Sequence, residues 1–366
     1  ISYWGMIPAL TSDAHARDQY TSRAVLFAGI GSTIASVLIP ILTMGSGALG
    51  GSTATAFGRV ALIACILAPL FLCFTIFGVH EERQTERKEP AERIGIANIF
   101  KTLTRNDQLM WVALIFLIQQ VGGSLVVSGM ASTYIYLVHG YSGGLYSTFT
   151  TVGTVPTVVL MLFYPAISKK IGRKRLMKYM ACLAVTGYAV MLVSGLLMPH
   201  GMVKFWFLVI GYAFSEFGQT CYCLILMVSI LNTVEYNEMK FGQRDEAIIT
   251  SLRPFITKMA SAVVAVLVSA SYMLFGVTGI TNQISDLETK TSQGLLTESE
   301  KLNQIGQILQ NVSPGQGHGL LLCITVLPCL LMLTAFLLYR RHYKLDEEEY
   351  DRLCRELEER RKQKKE

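Results

Sequence analysis

The feature that most limits what this chain can become is a recurring interval. Apolar segments of roughly 18 to 25 residues run along almost its whole length, each long enough at about 1.5 Å per residue to cross a hydrocarbon layer about 30 Å thick. Eight complete ones fall at about 24–43, 58–79, 108–137, 145–167, 176–197, 204–232, 247–275 and 318–339. Of the 366 residues 51% are hydrophobic and only 16% charged, and the mean hydropathy of +0.42 is far from that of a soluble domain. A backbone inside lipid must satisfy its own polar groups, so these segments specify an all-α, polytopic transmembrane helix bundle.

Orientation follows from the basic residues, which cytoplasmic loops retain. If the 11–23 connection lies inside and the spans alternate, all 32 Lys and Arg residues except Arg59, Lys204, Lys290 and Lys301 fall on or near the cytoplasmic side. The C-terminus is then cytoplasmic. The formal charge of +6 reflects this topology and gives no case for nucleic-acid binding. The eight cysteines lie mostly singly in apolar runs, and Cys221 and Cys223 point to nearly opposite sides of a helix, so neither a disulfide framework nor a metal site is expected.

One long hydrophilic segment, Val79 to Arg93, mixes charges of both signs and separates two spans from the six that follow. It reads as part of an interdomain linker over 80–106. Its continuation, with apolar residues at 94, 96, 99, 100 and 103, reads either as a short amphipathic helix on the membrane surface or as a solvated connector. Ile1 to Leu10 resembles the tail of a helix whose beginning is missing. The expected organisation is a six-plus-six bundle truncated at its N-terminus. Residues 1–79 are the remainder of the first bundle (the end of helix 4, with helices 5 and 6), 107–342 form the second, and 343–366 form an exposed charged helix. Residues 276–317 are expected to be a long, polar, external loop, with Asn311-Val-Ser as a glycosylation sequon that matters only in a eukaryotic secretory setting.

No phosphate loop, zinc-type histidine pair or nucleophile elbow is present, so no enzyme and no cofactor is expected. The informative residues are polar ones where polarity is expensive. A charge at mid-bilayer costs about 2.5 to 3.5 kcal/mol on the gentlest insertion scale and persists where it faces a cavity or a partner. Lys258, about 15 Å along its helix if that helix starts near Ile248, and Glu216, central in 204–232, are such charges. Their helices are consecutive and expected to be antiparallel neighbours, so the two charges are expected to approach, either at a functional site or as a buried pair that fixes packing. Arg253 lies nearer the helix end, where it either snorkels or joins the cavity, and Pro254 beside it suggests a kink. Gln119, Gln120 and Ser124 add polarity to the span at 108–137, and five threonines surround Pro156.

Pro165-Ala-Ile-Ser-Lys-Lys-Ile-Gly-Arg-Lys174 resembles the G-x-x-x-D-R-x-G-R-R loop of the major facilitator superfamily, with Pro165 and Lys169 in place of the usual Gly and Asp. Three further stretches narrow the match: Trp4-Gly-Met-Ile-Pro-Ala-Leu-Thr-Ser-Asp13, Arg105-Asn-Asp-Gln-Leu109, and Glu235-Tyr-x-Glu-x-Lys with Arg244-x-Glu, followed by Lys258. Together they are similar to the glycoside, pentoside and hexuronide cation symporters of the melibiose permease type, over the whole chain.

The resemblance implies a transporter that carries a sugar or glycoside together with Na+ or H+ by alternating access. It also implies a multi-pass location in a cell membrane, a bacterial inner or plasma membrane, and a monomer. Lys258 matches the eleventh-helix lysine near the cation and sugar sites, Trp4 a tryptophan that packs on sugar, and Arg23 an arginine that binds sugar hydroxyls. Gln120, Ser124 and Arg253 join the expected substrate site. Glu216, Glu235 and Asn232 join Lys258 in the expected cation-coupling or charge-pair set. Asn232 replaces an acidic residue of the pattern and Cys223 an aromatic one, so neither the melibiose specificity nor the coupling ion carries over. The alternatives left open are an amphiphile or lipid carrier on the same fold and a transport-incompetent sensor.

Overall fold

The computed structural model describes residues 14–43, 48–51, 53–78, 104–242 and 245–363, and among them there are twelve helices and no strand. In chain order they are α1 (Ala14–Thr43), α2 (Thr53–Gly78), α3 (Asp107–Val127), α4 (Met130–His139), α5 (Gly143–Ile171), α6 (Arg173–Leu197), α7 (Met202–Phe241), α8 (Glu246–Leu274), α9 (Thr278–Ser292), α10 (Glu298–Gln310), α11 (Pro314–His342) and α12 (Glu347–Gln363). Six stretches among the described residues are long and apolar enough to cross a membrane: Thr55–Gly78, Asp107–His139, Arg173–Leu197, Met202–Phe241, Ile248–Leu274 and Pro314–His342. The segments expected at 24–43 and 145–167 are helical, in α1 and α5, but lie outside those six. The linker expected at 80–106 lies almost entirely outside the described residues, as does its amphipathic continuation.

Three elements differ from the sequence reading. The span at 108–137 is two helices, because the chain turns at Ser128-Gly129, where Gly129 takes φ of 98°, a conformation that costs glycine nothing and side chains much. The span at 204–232 continues without a break to Phe241, a 40-residue helix about 60 Å long, so the charged stretch from Val234 is helical and extends past the hydrocarbon thickness. The segment at 276–317 is a pair of short helices, α9 and α10, and not a loop. The Thr297-Glu-Ser-Glu300 capping box starts α10, with the Glu300 carboxylate accepting from Thr297 N at 2.9 Å and the Thr297 hydroxyl from Glu300 N at 3.3 Å.

The chain divides into two compact units. One comprises Ile1–Arg93, Ser142–Thr151 and Gln283–Gly306, and the other Ile94–Tyr141, Val152–Asn282 and Gln307–Glu366. In the second, α7 packs so closely on α6 that a Cβ at Gly187 would strike Ser215 N and Gly211 O. In lipid, helices gain little from apolarity alone, so small residues that let backbones approach supply the packing. In the first unit, Ala56 of α2 and Ile305 of α10 are fully buried, and the Ser147 hydroxyl of α5 donates to Val37 O of α1 at 3.0 Å.

Candidate functional site

On α7 the side chains of Glu216, Thr220 and Cys223 follow at i, i+4 and i+7 and therefore share a face. Gly187 and Gly211 hold the adjoining face against α6. Glu216 stands 14 residues, about 21 Å, into the helix and is partly buried, and the Thr220 hydroxyl donates to its Oε1 at 3.5 Å. Cys223 reaches α3, where its thiol donates to Gln120 Oε1 at 3.5 Å. Arg253 of α8 is close enough to Cys223 to act on it electrostatically. Behind this face lies a fully packed amide layer, in which Gln119 Nε2 donates to Gln219 Oε1 at 3.3 Å and Gln219 Nε2 to Tyr188 OH at 3.2 Å. The sequence showed Gln119 as polar; Tyr188, an aromatic in an apolar run, gave no signal. A half-buried polar face on a buried polar backing can bind hydroxyl groups, since its donors and acceptors are held in place before the ligand arrives.

Lys258 and Arg253 are both exposed on α8. Lys258 forms no ion pair with Glu216, so the approach expected from adjacent helices does not become a bond: Lys258 is exposed, while Glu216 meets Thr220. Ser124 is partly buried on α3, one turn beyond Gln120. Arg23 is exposed on α1, in the other unit, and Trp4 lies outside the described residues.

A second polar cluster lies where the α3 N-terminus meets the C-terminal part of α7. Asn106 caps α3 by accepting from Leu109 N at 3.0 Å, and its amide donates to Thr233 O and Asn237 Oδ1 of α7. Beside it Asp107 accepts from Lys240 at 2.7 Å and from Tyr236 OH at 3.0 Å, while the Arg105 guanidinium lies 4.1 Å from the Phe241 ring centre. Two of the stretches behind the family resemblance, Arg105 to Leu109 and Glu235 to Lys240, are thus two halves of one interlock.

Asn232 is buried at the same end of α7. With its amide turned to satisfy both ends, its oxygen accepts from the Arg173 guanidinium at 2.6 Å and its nitrogen donates to Val228 O at 3.1 Å. Arg173, in the superfamily-like loop, also meets the tail: its backbone N donates to Glu347 Oε1 at 2.9 Å and its Nε lies 3.4 Å from the same oxygen. Lys174 pairs with Asp346, and that hydrogen bond, with one from Glu349 N, holds the Asp346 carboxyl below the usual carboxylate range. Glu235 faces Tyr350 of α12, whose hydroxyl is raised chiefly by burial and further by Glu235. Asn232 and Glu235 therefore sit in a loop-and-tail clasp, separate from the Glu216 face.

Sequence comparison fits this geometry to a family. The model for MFS/sugar transport proteins matches residues 1–347. The chain is 26% identical over 364 residues to the raffinose carrier protein of Pediococcus pentosaceus, covering 98% of this chain and 51% of that protein. It is 30% identical over 281 residues to the lactose permease of Lactobacillus delbrueckii subsp. bulgaricus, covering 75% of this chain and 43% of that one. To an uncharacterized symporter of Bacillus subtilis it is 24% identical over 367 residues, covering 98% and 69%. The chain spans about half the length of the raffinose carrier and less than half of the lactose permease. With apolar helices at membrane length, a polar face inside them and a family match along nearly the whole chain, this is a multi-pass membrane protein of the MFS/sugar transport family, which comprises transporters and not enzymes.

Proposed function

We propose that the intact protein is a secondary active transporter that moves a sugar or glycoside with Na+ or H+ by alternating access between two helix bundles. The observation that carries this reading is the polar face of Glu216, Thr220, Cys223 and Gln120 within helices that match a sugar-transport family from residue 1 to 347. Relatives named for raffinose and for lactose support a glycoside as the cargo. In this reading Trp4, Arg23, Gln120, Ser124, Arg253 and Lys258 contact the sugar, and Lys258, Glu216, Glu235 and Asn232 take part in coupling or charge balance. Residues 1–79 belong to the first bundle, 80–106 link it to the second at 107–342, and 343–366 form the tail. The protein acts as a monomer in a cell membrane, with its C-terminus in the cytoplasm.

The test is uptake of labelled lactose and raffinose by vesicles holding the intact protein, with an imposed Na+ or pH gradient. Accumulation that follows one gradient and collapses with an ionophore supports symport. Sugar equilibration indifferent to both gradients means a uniporter, and no flux of either sugar removes the glycoside reading.

A further inference from the structure

Where α4 meets the start of α7, three basic side chains gather with no acidic one to answer them. His139 is the last residue of α4, Lys204 is the third of α7, and His200 lies in the turn just before it. All three belong to one compact unit. Lys204 and His200 both stand close enough to His139 to act on it electrostatically. Lys204 is 4% exposed, yet among the described residues its ammonium takes part in no ion pair and no hydrogen bond. The Nε2 atom of His139 is buried and has no hydrogen-bond partner among them either. Its ring is held by the fully buried Phe205, which meets it edge-on with 5.5 Å between centres. The first N–H groups of α7 open at the same end, where Gly201 supplies no capping side chain.

A lysine withdrawn from water with nothing opposite it is strongly unfavourable, because the hydration it gave up is not replaced. The imidazole sharpens the point. As an acceptor, Nε2 would take a hydrogen bond from the neighbouring ammonium, and none forms, so it is read as a donor. Ammonium, imidazole N–H and helix N-terminus are all donors, and what they lack is an acceptor carrying negative charge. We propose that this corner binds one small inorganic anion of the halide class, held by Lys204 Nζ, His139 Nε2 and the start of α7, with His200 adding positive charge from the loop. Size selects the occupant. Nε2 is enclosed, Lys204 nearly so, and Phe205 fills the space beside the ring, so a monatomic ion enters with less displacement than a phosphate or a carboxylate. The ion ties the end of α4 to the start of α7, twelve residues or about 18 Å along the helix from Glu216, and is separate from the polar face described above.

Binding of radiolabelled chloride to the intact protein in detergent tests the site, at fixed pH and ionic strength with gluconate making up the balance. Binding should saturate at about one chloride per chain, yield to bromide and not to gluconate, and weaken about tenfold in Lys204→Gln. Chloride should also raise the melting temperature of the unsubstituted protein and not that of the variant. Should Lys204→Gln fail to reach the membrane, His200→Asp, at an exposed loop position, places a carboxylate beside the two cations and should weaken chloride binding to a similar degree. Binding that is absent, that does not saturate, or that is unchanged in a variant that folds overturns the site. Displacement by phosphate at lower concentration than by bromide overturns the halide assignment. Neither measurement involves sugar, so failure of the transport reading would leave the result intact.

Discussion

A lysine far inside an apolar segment is conspicuous because lipid offers it nothing, and on that ground alone Lys258 and Glu216 were legible in the sequence. Which way each points was not. Helical spacing fixes the angle between residues of one helix, but how each helix is rotated in the bundle is set by packing, here by glycines such as Gly187 and Gly211 that bring α6 onto α7. The result leaves Lys258 exposed and Glu216 against Thr220, and the two unpaired with each other. An exposed lysine contributes little to packing, so Lys258→Ala is expected to abolish gradient-driven sugar uptake while membrane expression, measured by blotting, stays within twofold. Gly187→Leu should do the opposite. Its side chain would meet the Ser215 and Gly211 backbones, which cannot yield as a flexible side chain can, at a cost of about 2 kcal/mol or more. A melting temperature in detergent unchanged by Gly187→Leu would contradict the close approach.

At the scale of elements, two features that the reading of 108–137 as one span and of 276–317 as a loop passed over are decided by local rules. The Thr297 to Glu300 capping box starts α10 and Gly129 separates α3 from α4, and both signals are written in a few adjacent residues. The docking of α12 was not legible, because Arg173 and Glu347 meet across 174 positions and a charged amphipathic tail looks the same in sequence whether docked or free. The clasp has a definite dependence on pH. The folded-state pKa of Asp346 is depressed, so its contribution is complete above the unfolded value of about 3.9 and is lost as pH falls through the lower folded value. Lys174 is largely exposed, so the pair is worth about 1 kcal/mol or less. A spin label at the exposed Arg355 should stay immobilised at neutral pH and gain mobility below about pH 4. Asp346→Asn should raise mobility already at neutral pH and flatten the response, and an acid response unaltered by that substitution would assign it to another group.

For the whole molecule, the bundle was legible from the interval between apolar runs, and its direction across the membrane is proposed from charge. Every Lys and Arg except Arg59, Lys204, Lys290 and Lys301 falls on or near one side when the spans alternate. Two of those four carry less topological weight than their number suggests. Lys301 is wholly buried between Glu288 and Glu298, and Lys204 is only 4% exposed near the start of α7. A lysine neutralised by two carboxylates in its own hairpin adds no net positive charge to resist translocation, so the α9–α10 pair can lie outside despite Lys290 and Lys301. The tail, by contrast, ends in a dense basic run from Arg360 and is expected to stay in the cytoplasm. Single cysteines at Glu300, which is exposed on α10, and at Lys362 test both ends of this argument with a membrane-impermeant maleimide. In intact cells position 300 should react and position 362 should react only after permeabilisation. The reverse pattern would mean that the basic clusters face outward and that something other than these lysines and arginines sets the orientation.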